Sequence, residues 1–490
     1  VVSATDSSTL TQLTAALAQR QQKIGQYDDY YNGTHRLAFA TAKFREAFGF
    51  LFREFADNWC GIVVDASAER LQVEGFRFTG SDPEQGDQDA WAIWQRCGMD
   101  AQSDMAHVEA IKLGASYLDV GPDPDDPSQA LIQVVPAQQA IVIVDPVNPA
   151  KRLAGLRTWV DDVEQIEHAI VYTPDQVEWY ERDPNAQGND WQSGEGSGAN
   201  PLGIVPLIPL PNNPSLTNRQ GASDLANVIP LQDAVNKLVS DMIVASEFAA
   251  FRQRWATGIE IPGLDPETGE RKASPYVSAV DRVWGSEDSQ SRFGTFDVTD
   301  LNNYVQAIEN LIQHLAAQTR TPPHYLTAGM GQWPSGESLK ASETGLVSKV
   351  RRKMRVFGEA WEQAIRLAFA VEGDTKRADD MECEVIWRNP ETRAQAETVD
   401  AATKLTTIGV PEVALWEYIG ATPQQIARWT QLKEEQQVEL PPGAVVTEKI
   451  ALPPSGELAQ QTEGAPIPTS TTPGGPGTTA ATAPVPPTQP

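Results

Sequence analysis

Apolar residues recur at three- and four-residue intervals along much of this chain, and the interval changes character at a few definite places. Leu10, Leu13 and Leu17, then Phe44, Phe48, Leu51, Phe52 and Phe55, keep the spacing of a helix face, so residues 10–58 read as helical. DDYYNGTHR (28–36) separates the two sets and reads as a turn with Asn32-Gly33 at its tip. At Ile62, Val63 and Val64 the period changes to a short apolar run, and LQVEGFRF (71–78) alternates as a half-buried strand does. Helical spacing returns over 88–115 through Trp91, Ile93, Trp94, Met105, Val108, Ile111 and Leu113. Four strand-like runs follow: ASYLDV (115–120), LIQVV (131–135), AIVIV (140–144) and LAGLRTWV (153–160). AIVYT (169–173) and VEWYE (177–181) predict a hairpin, and Pro, Asp and Asn fill the connections. A Gly/Ser/Asn-rich loop (187–200) and a Pro-rich one (201–214) close this α+β region.

From residue 223 the elements lengthen. Leu231, Val235, Leu238, Met242, Ala245 and Ala249 make a continuous apolar seam with 4-3-4-3-4 spacing. One helix over 223–254 would be about 48 Å long at 1.5 Å per residue, with Pro230 in or near its first turns, where proline is best tolerated. Residues 255–299 lose the helical period and hold the strand-like pieces GIEIPG, PYVSAVDRVW and SRFGTFDV. A second helix begins near residue 300, with Tyr304, Ile308, Leu311 and Leu315 spaced 4-3-4, and Thr321-Pro322-Pro323 stops it. The loop HYLTAGMGQWPSGES (324–338) leads into a third long helix, with Ser335 as N-cap and Glu337 in the first turn. Leu346, Val350, Met354, Phe357, Trp361, Ile365 and Ala368 mark its buried face, and Gly345 and Gly358 inside it would permit a kink. MECEVIW (381–387) reads as a strand, and 390–435 as helical segments. Residues 441–490 hold 12 of the 36 prolines and no aromatic residue, too little apolar surface to order itself, so they read as a disordered tail.

Charge narrows the function classes. Against 38 Lys and Arg stand 66 Asp and Glu, a net charge of −28. A protein that envelops nucleic acid needs many cations against phosphate, so this balance argues against that class. Three scattered cysteines (Cys60, Cys97, Cys383) give no disulfide framework and no CxxC pair, and the five histidines form no HExxH site, so no cofactor or metal is expected. No segment reaches the roughly 18 apolar residues that span a bilayer, and VVSATDSSTL has neither the basic nor the apolar region of a secretory signal.

Catalytic motifs are absent or incomplete. Gly331-x4-Gly336 is followed by Glu337-Ser338, which has phosphate-loop spacing, but Glu stands where the essential Lys should be and would repel a phosphate. GEGSG (194–198) reads as linker, and DPDDP (123–127) lacks the Gly and distal Glu of a calcium loop. No GxSxG occurs, and no His is placed near a Ser or Cys in a recognisable pattern. No catalytic residue is assigned. One local signal opposes the global charge: KVRRKMR puts Lys349, Arg351, Arg352, Lys353 and Arg355 into seven residues of the third helix. Such a run serves either as a solvated or salt-bridged helix face, or as a contact surface for an acidic neighbour or a DNA backbone. Residues 301–378 are the one positive stretch, with ten basic against seven acidic side chains.

Several segments, taken in order, carry a resemblance. They are YYNGTHR, NWCGIVVDASAERLQVEGF (58–76), EAIKLGASYLDVGPD (109–123), NRQGASDLANVIPLQDAVNKLVSDM (218–242), the TRTPPHYL…GQWPSGESLKASE run (319–343) and VPEVALWEYIGATPQQIARW (410–429). Over about residues 20–435 the chain resembles the portal, or head–tail connector, proteins of tailed bacteriophages with long non-contractile tails.

That resemblance implies an α+β, mainly helical subunit. Residues 1–222 would be an α/β wing, 223–254 and 300–320 the two antiparallel stem helices, and 255–299 a small β-rich clip. Residues 321–338 would be the tunnel loop, 339–390 a long kinked helix and returning wing strand, 391–440 a helical crown, and 441–490 the tail. It implies a non-enzymatic homo-oligomer, a twelve-subunit ring at one capsid vertex, through which double-stranded DNA is packaged and ejected. The terminase motor and then a head–tail adaptor would dock on it, with the major capsid and scaffolding proteins as further partners. Its place would be the virion, after synthesis in the bacterial host cytoplasm, with no membrane involved. DNA-facing candidates in the tunnel loop are Gln332, Trp333 and Ser335, with Lys340 just inside the next helix. Two other classes stay open: an oligomeric virion scaffold or adaptor that never holds DNA, and a hydrolase whose site is assembled from dispersed carboxylates.

Overall fold

The computed structural model describes residues 6–36, 57–79, 86–185, 191–250, 254–258, 290–295, 300–326, 336–391 and 395–438. The predicted helix around Phe44–Phe55, most of 255–299, the Gly-rich loop through residue 335 and the tail 441–490 lie outside these residues. The chain divides into a main unit, Val1–Gln431, and a second, Leu432–Pro490, whose described part is the end of the last helix.

Helix α1 (Asp6–Asn32) runs unbroken through DDYYN and stops at Gly33, whose φ of +73° is the left-handed conformation glycine adopts freely. Only the end of the predicted 28–36 turn is therefore a turn. Tertiary contacts extend the helix: Tyr30 is buried and donates its hydroxyl to Asp233 (2.6 Å), and Tyr31 donates to Asp65 (2.9 Å). Helix α2 (Cys60–Ala68) takes up the apolar run at 62–64, where the sequence suggested that helical period ends. Cys60, Val63, Val64, Ala66, Ser67 and Ala68 are all buried, and a short helix covered on nearly every side has no polar face to show its period. After β1 (Val73–Arg77), the span 88–115 forms two helices, α3 (Gln88–Arg96) and α4 (Met99–Leu113), broken at Gly98 with φ +64°.

The strand-like runs form β2 (Ala115–Pro122), β3 (Ala130–Pro136), β4 (Ala140–Val144), β5 (Arg152–Val160), β6 (Glu167–Tyr172) and β7 (Gln176–Arg182), followed by short β8 (Gln192–Ser193), β9 (Gly198–Ala199) and β10 (Leu207–Pro211). An antiparallel sheet β10-β2-β3 lies beside a larger one, β4-β5-β6-β7-β8, with β9 paired to β7. Alternation along the strands makes the layers. Ile141, Leu156, Ala169 and Val171 pack on Leu10, Leu13 and Leu17 of α1, while Val142, Ile170 and Tyr172 meet Tyr117, Val135 and Leu207 of the smaller sheet. Between the sheets Asp119 accepts from Arg157 (2.7 Å) and from the Tyr172 hydroxyl (2.9 Å).

The helical half opens with a 3-10 turn, Asp224–Asn227, and continues through α5 (Ile229–Ala250), β11 (Arg254–Thr257), β12 (Arg292–Thr295), α6 (Asn302–Thr319), α7 (Pro323–Leu326) and α8 (Gly336–Glu372). Then come α9 (Thr375–Ala378), β13 (Glu384–Trp387), α10 (Gln395–Thr407), α11 (Glu412–Tyr418) and α12 (Pro423–Val438). The first long helix is shorter than the spacing suggests. Ser223 caps the 3-10 turn by accepting the Leu225 N–H (3.0 Å), so α5 has 22 residues, about 33 Å, with Pro230 as its second. Helix α8, at 37 residues, is continuous through Gly345 and Gly358. Strand β13 returns to pair antiparallel with β1, Phe76 opposite Val385. The main core gathers Leu346, Val350, Phe357 and Trp361 of α8 around Trp94, Phe76 and Ile111.

Backbone contacts join the two halves. Gly114 ends α4, and its carbonyl accepts the Asn212 N–H (2.8 Å); the Asn212 carbonyl accepts the Ala222 N–H (2.7 Å). Gly221 beside them has φ +90°, and a Cβ there would stand 2.1 Å from the Gly114 carbonyl oxygen. Both the conformation and the space demand glycine. Gly221→Ala should lower stability by about 3 kcal/mol or more, read as a drop in the urea midpoint at unchanged slope; an Ala variant as stable as the parent would contradict this packing.

Candidate functional site

The basic stretch on α8 divides by helix face. Lys349 and Lys353, four residues apart, share the inward face with buried Leu346, Val350 and Phe357, whereas Arg351, Arg352 and Arg355 lie on the exposed one. The inward pair converges on Asp224. Lys349 Nζ stands 2.7 Å from Asp224 Oδ2, and Lys353 Nζ 3.0 Å from Oδ1. Lys349 also donates to the Thr319 carbonyl (3.2 Å), and Lys353 to the side chain of Asn212. Asp224 accepts as well from Asn212 Nδ2 (2.9 Å) and Asn213 Nδ2 (2.6 Å). The side chains of Lys353 and Asp224 are only 2% and 3% exposed, so this is an interior charge cluster.

Electrostatics follow from that placement. Burial alone would raise the Asp224 carboxyl, but the Lys353 and Lys349 ammoniums and the Asn212 hydrogen bond overrule it and hold the group well below the usual carboxylate range. Lys353 is lowered to about 8, because burial and the neighbouring Lys349 outweigh the pull of Asp224. Two members of the basic run are therefore internal structure. Asp224 itself escaped the sequence reading, and the only signal available was the i,i+4 spacing of the two lysines on an otherwise apolar helix face.

The outward arginines border two clefts. Arg351 pairs with Glu391 (2.5 Å) and, with Arg355, Lys340, Glu343 and Tyr418, lines a cleft of about 930 Å³ between α8 and the segment that follows β13. Glu343 there also pairs with Arg70 (3.3 Å). Arg352 and Arg355 face a second cleft of about 720 Å³, against residues 209–219. Lys340 is exposed near the start of α8. Gln332, Trp333 and Ser335 lie outside the described residues.

Among the described residues no group of three or more His, Cys, Asp and Glu is placed to hold a metal ion, and no helix is long and apolar enough to cross a membrane. The interior histidine, His107, accepts the Trp361 indole N–H (3.0 Å), stacks on Phe357, and is lowered to about 3 by burial, so it stays neutral in a closed aromatic setting. Cys60, Cys97 and Cys383 are free and buried.

A family model described as "Phage portal protein, SPP1 Gp6-like" matches residues 10–439. The chain belongs to the phage portal protein family. It is 33% identical to the portal protein of Mycobacterium phage D29 over 360 residues, 70% of this chain and 71% of that one. With the portal protein of Mycobacterium phage L5 it shares 31% over 359 residues, again 70% and 71% of the two chains. Among solved structures it is similar to a chain of the "Virion of native gene transfer agent (GTA) particle", at 11% identity and a TM-score of 0.41, covering 74% of this chain and 88% of that one. The mixed α+β architecture and the family agree with the sequence reading. The portal match runs through both the Asp224 cluster and the arginine face of α8.

Removing one partner from a buried ion cluster strands the others in low dielectric. Asp224→Asn should lower the stability of this portal chain by about 3–5 kcal/mol at pH 7, measured by urea denaturation. The folded-state pKa of Asp224 lies below its ordinary 3.8, so its contribution is complete above that value and is lost as pH falls through the folded one. The gap between parent and Asp224→Asn should therefore narrow on acidification below about pH 4; a gap that widens there would contradict the assignment.

Proposed function

We propose that this portal chain is the subunit of a ring at one capsid vertex, through which double-stranded DNA is packaged and later ejected. The observation that carries the reading is the helix pair α5–α6. The two helices pack on each other; α5 leads into β11, β11 pairs antiparallel with β12, and β12 leads back to α6. Yet within one chain the pair covers its apolar residues only in part: Val235, Ile312 and Leu315 are buried, but Leu238, Met242, Ile308 and Leu311 are only half-buried, and Val305 is 37% exposed. Neighbouring copies around a closed ring would cover that seam, as amphipathic helices in symmetric assemblies require.

In this reading residues 1–222, with the returning strand β13, form the wing, and α5 and α6 form the stem of 223–254 and 300–320. Residues 255–299 are the clip, where the packaging terminase docks first and a head–tail adaptor later. Loop 321–338 is the tunnel loop, with Gln332, Trp333 and Ser335 toward DNA and Lys340 behind them; α10–α12 are the crown within 391–440. The charge suits a conduit. DNA must slide in both directions, and a chain carrying −28 keeps a polyanion from adhering to the walls.

Negative-stain imaging of the purified chain should show closed rings with a central hole of duplex width; monomers or open filaments would overturn the proposal. Replacing Gly329 and Gly331 by Pro should abolish DNA packaging while rings still form. Equal loss of rings and packaging would remove the tunnel-loop assignment.

A further inference from the structure

We propose that the cleft between residues 209–219 and α8 receives an acidic turn of a second copy of this chain, the turn at 161–164 that joins β5 to β6. The inference rests on the ring reading above and names one of its contacts. The cleft is lined by Arg219, Arg352 and Arg355, and Glu359 is the carboxylate in its lining. Among the described residues none of those three arginines has a carboxylate partner within ion-pair distance. Arg152, also in the lining, is engaged internally, donating to the Val205 carbonyl (2.9 Å) and to Gln363 (2.7 Å). Leu216 stands in the lining at 88% exposure. The site thus asks for an anion that carries an apolar side chain beside it.

The turn Asp161-Asp162-Val163-Glu164 has that chemistry. Asp161 turns its carboxylate inward, accepting the N–H groups of Val163 (2.7 Å) and Glu164 (2.9 Å). That closure leaves Asp162 and Glu164 exposed on either side of Val163, which is 91% exposed. The acidic turn at 123–126 is a poorer match, since its apolar member is the compact ring of Pro124 and Asp126 is occupied by Ser128 and Gln129.

Position makes the contact intermolecular. Strand β5 starts at Arg152, in the cleft, and ends at Val160, beside the turn, so eight residue steps of 3.4 Å separate the two by about 27 Å. A chain cannot fill its own cleft with its own turn. Donor and acceptor patches at opposite ends of one sheet give a head-to-tail contact, the kind that generates rings when the rotation closes. Opposite charges across it would steer the copies into register.

Two experiments on the full chain test this. Val163→Cys combined with Leu216→Cys should form intermolecular disulfides on oxidation, giving a ladder on denaturing gels, since bridging needs Cα atoms within about 7 Å and the three native cysteines are buried. Arg352→Glu with Arg355→Glu, or Asp162→Lys with Glu164→Lys, should each raise the concentration for half-assembly about tenfold or more, with unchanged circular dichroism. All four changes in one chain should restore assembly. No ladder, or a fourfold variant no better than its parents, overturns the contact. If the arginine variant assembles normally and instead loses retention of duplex DNA, the cleft belongs to nucleic acid and the proposal falls. A parent chain that never assembles defeats the ring reading itself, whereas rings that persist in every variant defeat only this contact.

Discussion

A single carboxylate buried between two ammoniums holds the described structure in register. Asp224 sits in the 3-10 turn from which α5 springs, Lys349 and Lys353 lie mid-way along α8, and Asn212 belongs to the segment tied to the end of α4. Two stretches more than a hundred residues apart, 212–224 and 349–353, therefore meet at one charge cluster, with the end of α4 tied in through the Asn212 backbone. Charges removed from water are tolerable only when paired and hydrogen-bonded, so each member restricts where the others can be. Hydrophobic packing around Trp94, Trp361 and Phe357 supplies most of the drive to fold, but it is non-directional. The ion cluster and the glycine pair beside it add direction, fixing how α5 leaves the core.

That constraint also explains how a chain with net charge −28 uses its densest cationic run. Helical geometry sends residues four apart to the same side, so two lysines go inward to Asp224 and three arginines outward to the clefts. Lysine suits the first role, as a compact charge on a flexible stem. Arginine suits the second, since its weakly hydrated planar fork pairs with carboxylates at interfaces. In the proposed ring the outward face meets a neighbouring copy, and the half-covered seam of α5 and α6 meets neighbours as well. DNA would then face a wall with little attraction for it.

Much of the fold was legible from spacing. Strands β1–β7, the helix pair, α8 and the returning β13 appear where alternation or helical period placed them, whereas β10 formed in the Pro-rich stretch 201–214 that reads as a loop. The misreadings have two causes: tertiary context overriding local signal, and local breaks that apolar spacing does not show. Tyr30 and Tyr31 carried α1 through a segment rich in turn formers, and burial on all sides hid the period of α2. The Ser223 cap inserted a 3-10 turn ahead of α5. Gly98 divided a span that apolar periodicity alone could not divide. Of the candidate site, the basic run was visible, but its division was not. Asp224 lies more than a hundred residues upstream, and no local pattern links it to Lys353.

The ion cluster acts through the coupling between Asp224 and Lys353. A double-mutant cycle with Asp224→Asn, Lys353→Met and their combination, each measured by urea denaturation, isolates that coupling from the loss of packing. A coupling of about 2 kcal/mol or more is predicted, with the double variant recovering much of what either single change loses. Additive losses, with a coupling below about 0.5 kcal/mol, would contradict the claim that this ion cluster holds the two segments together.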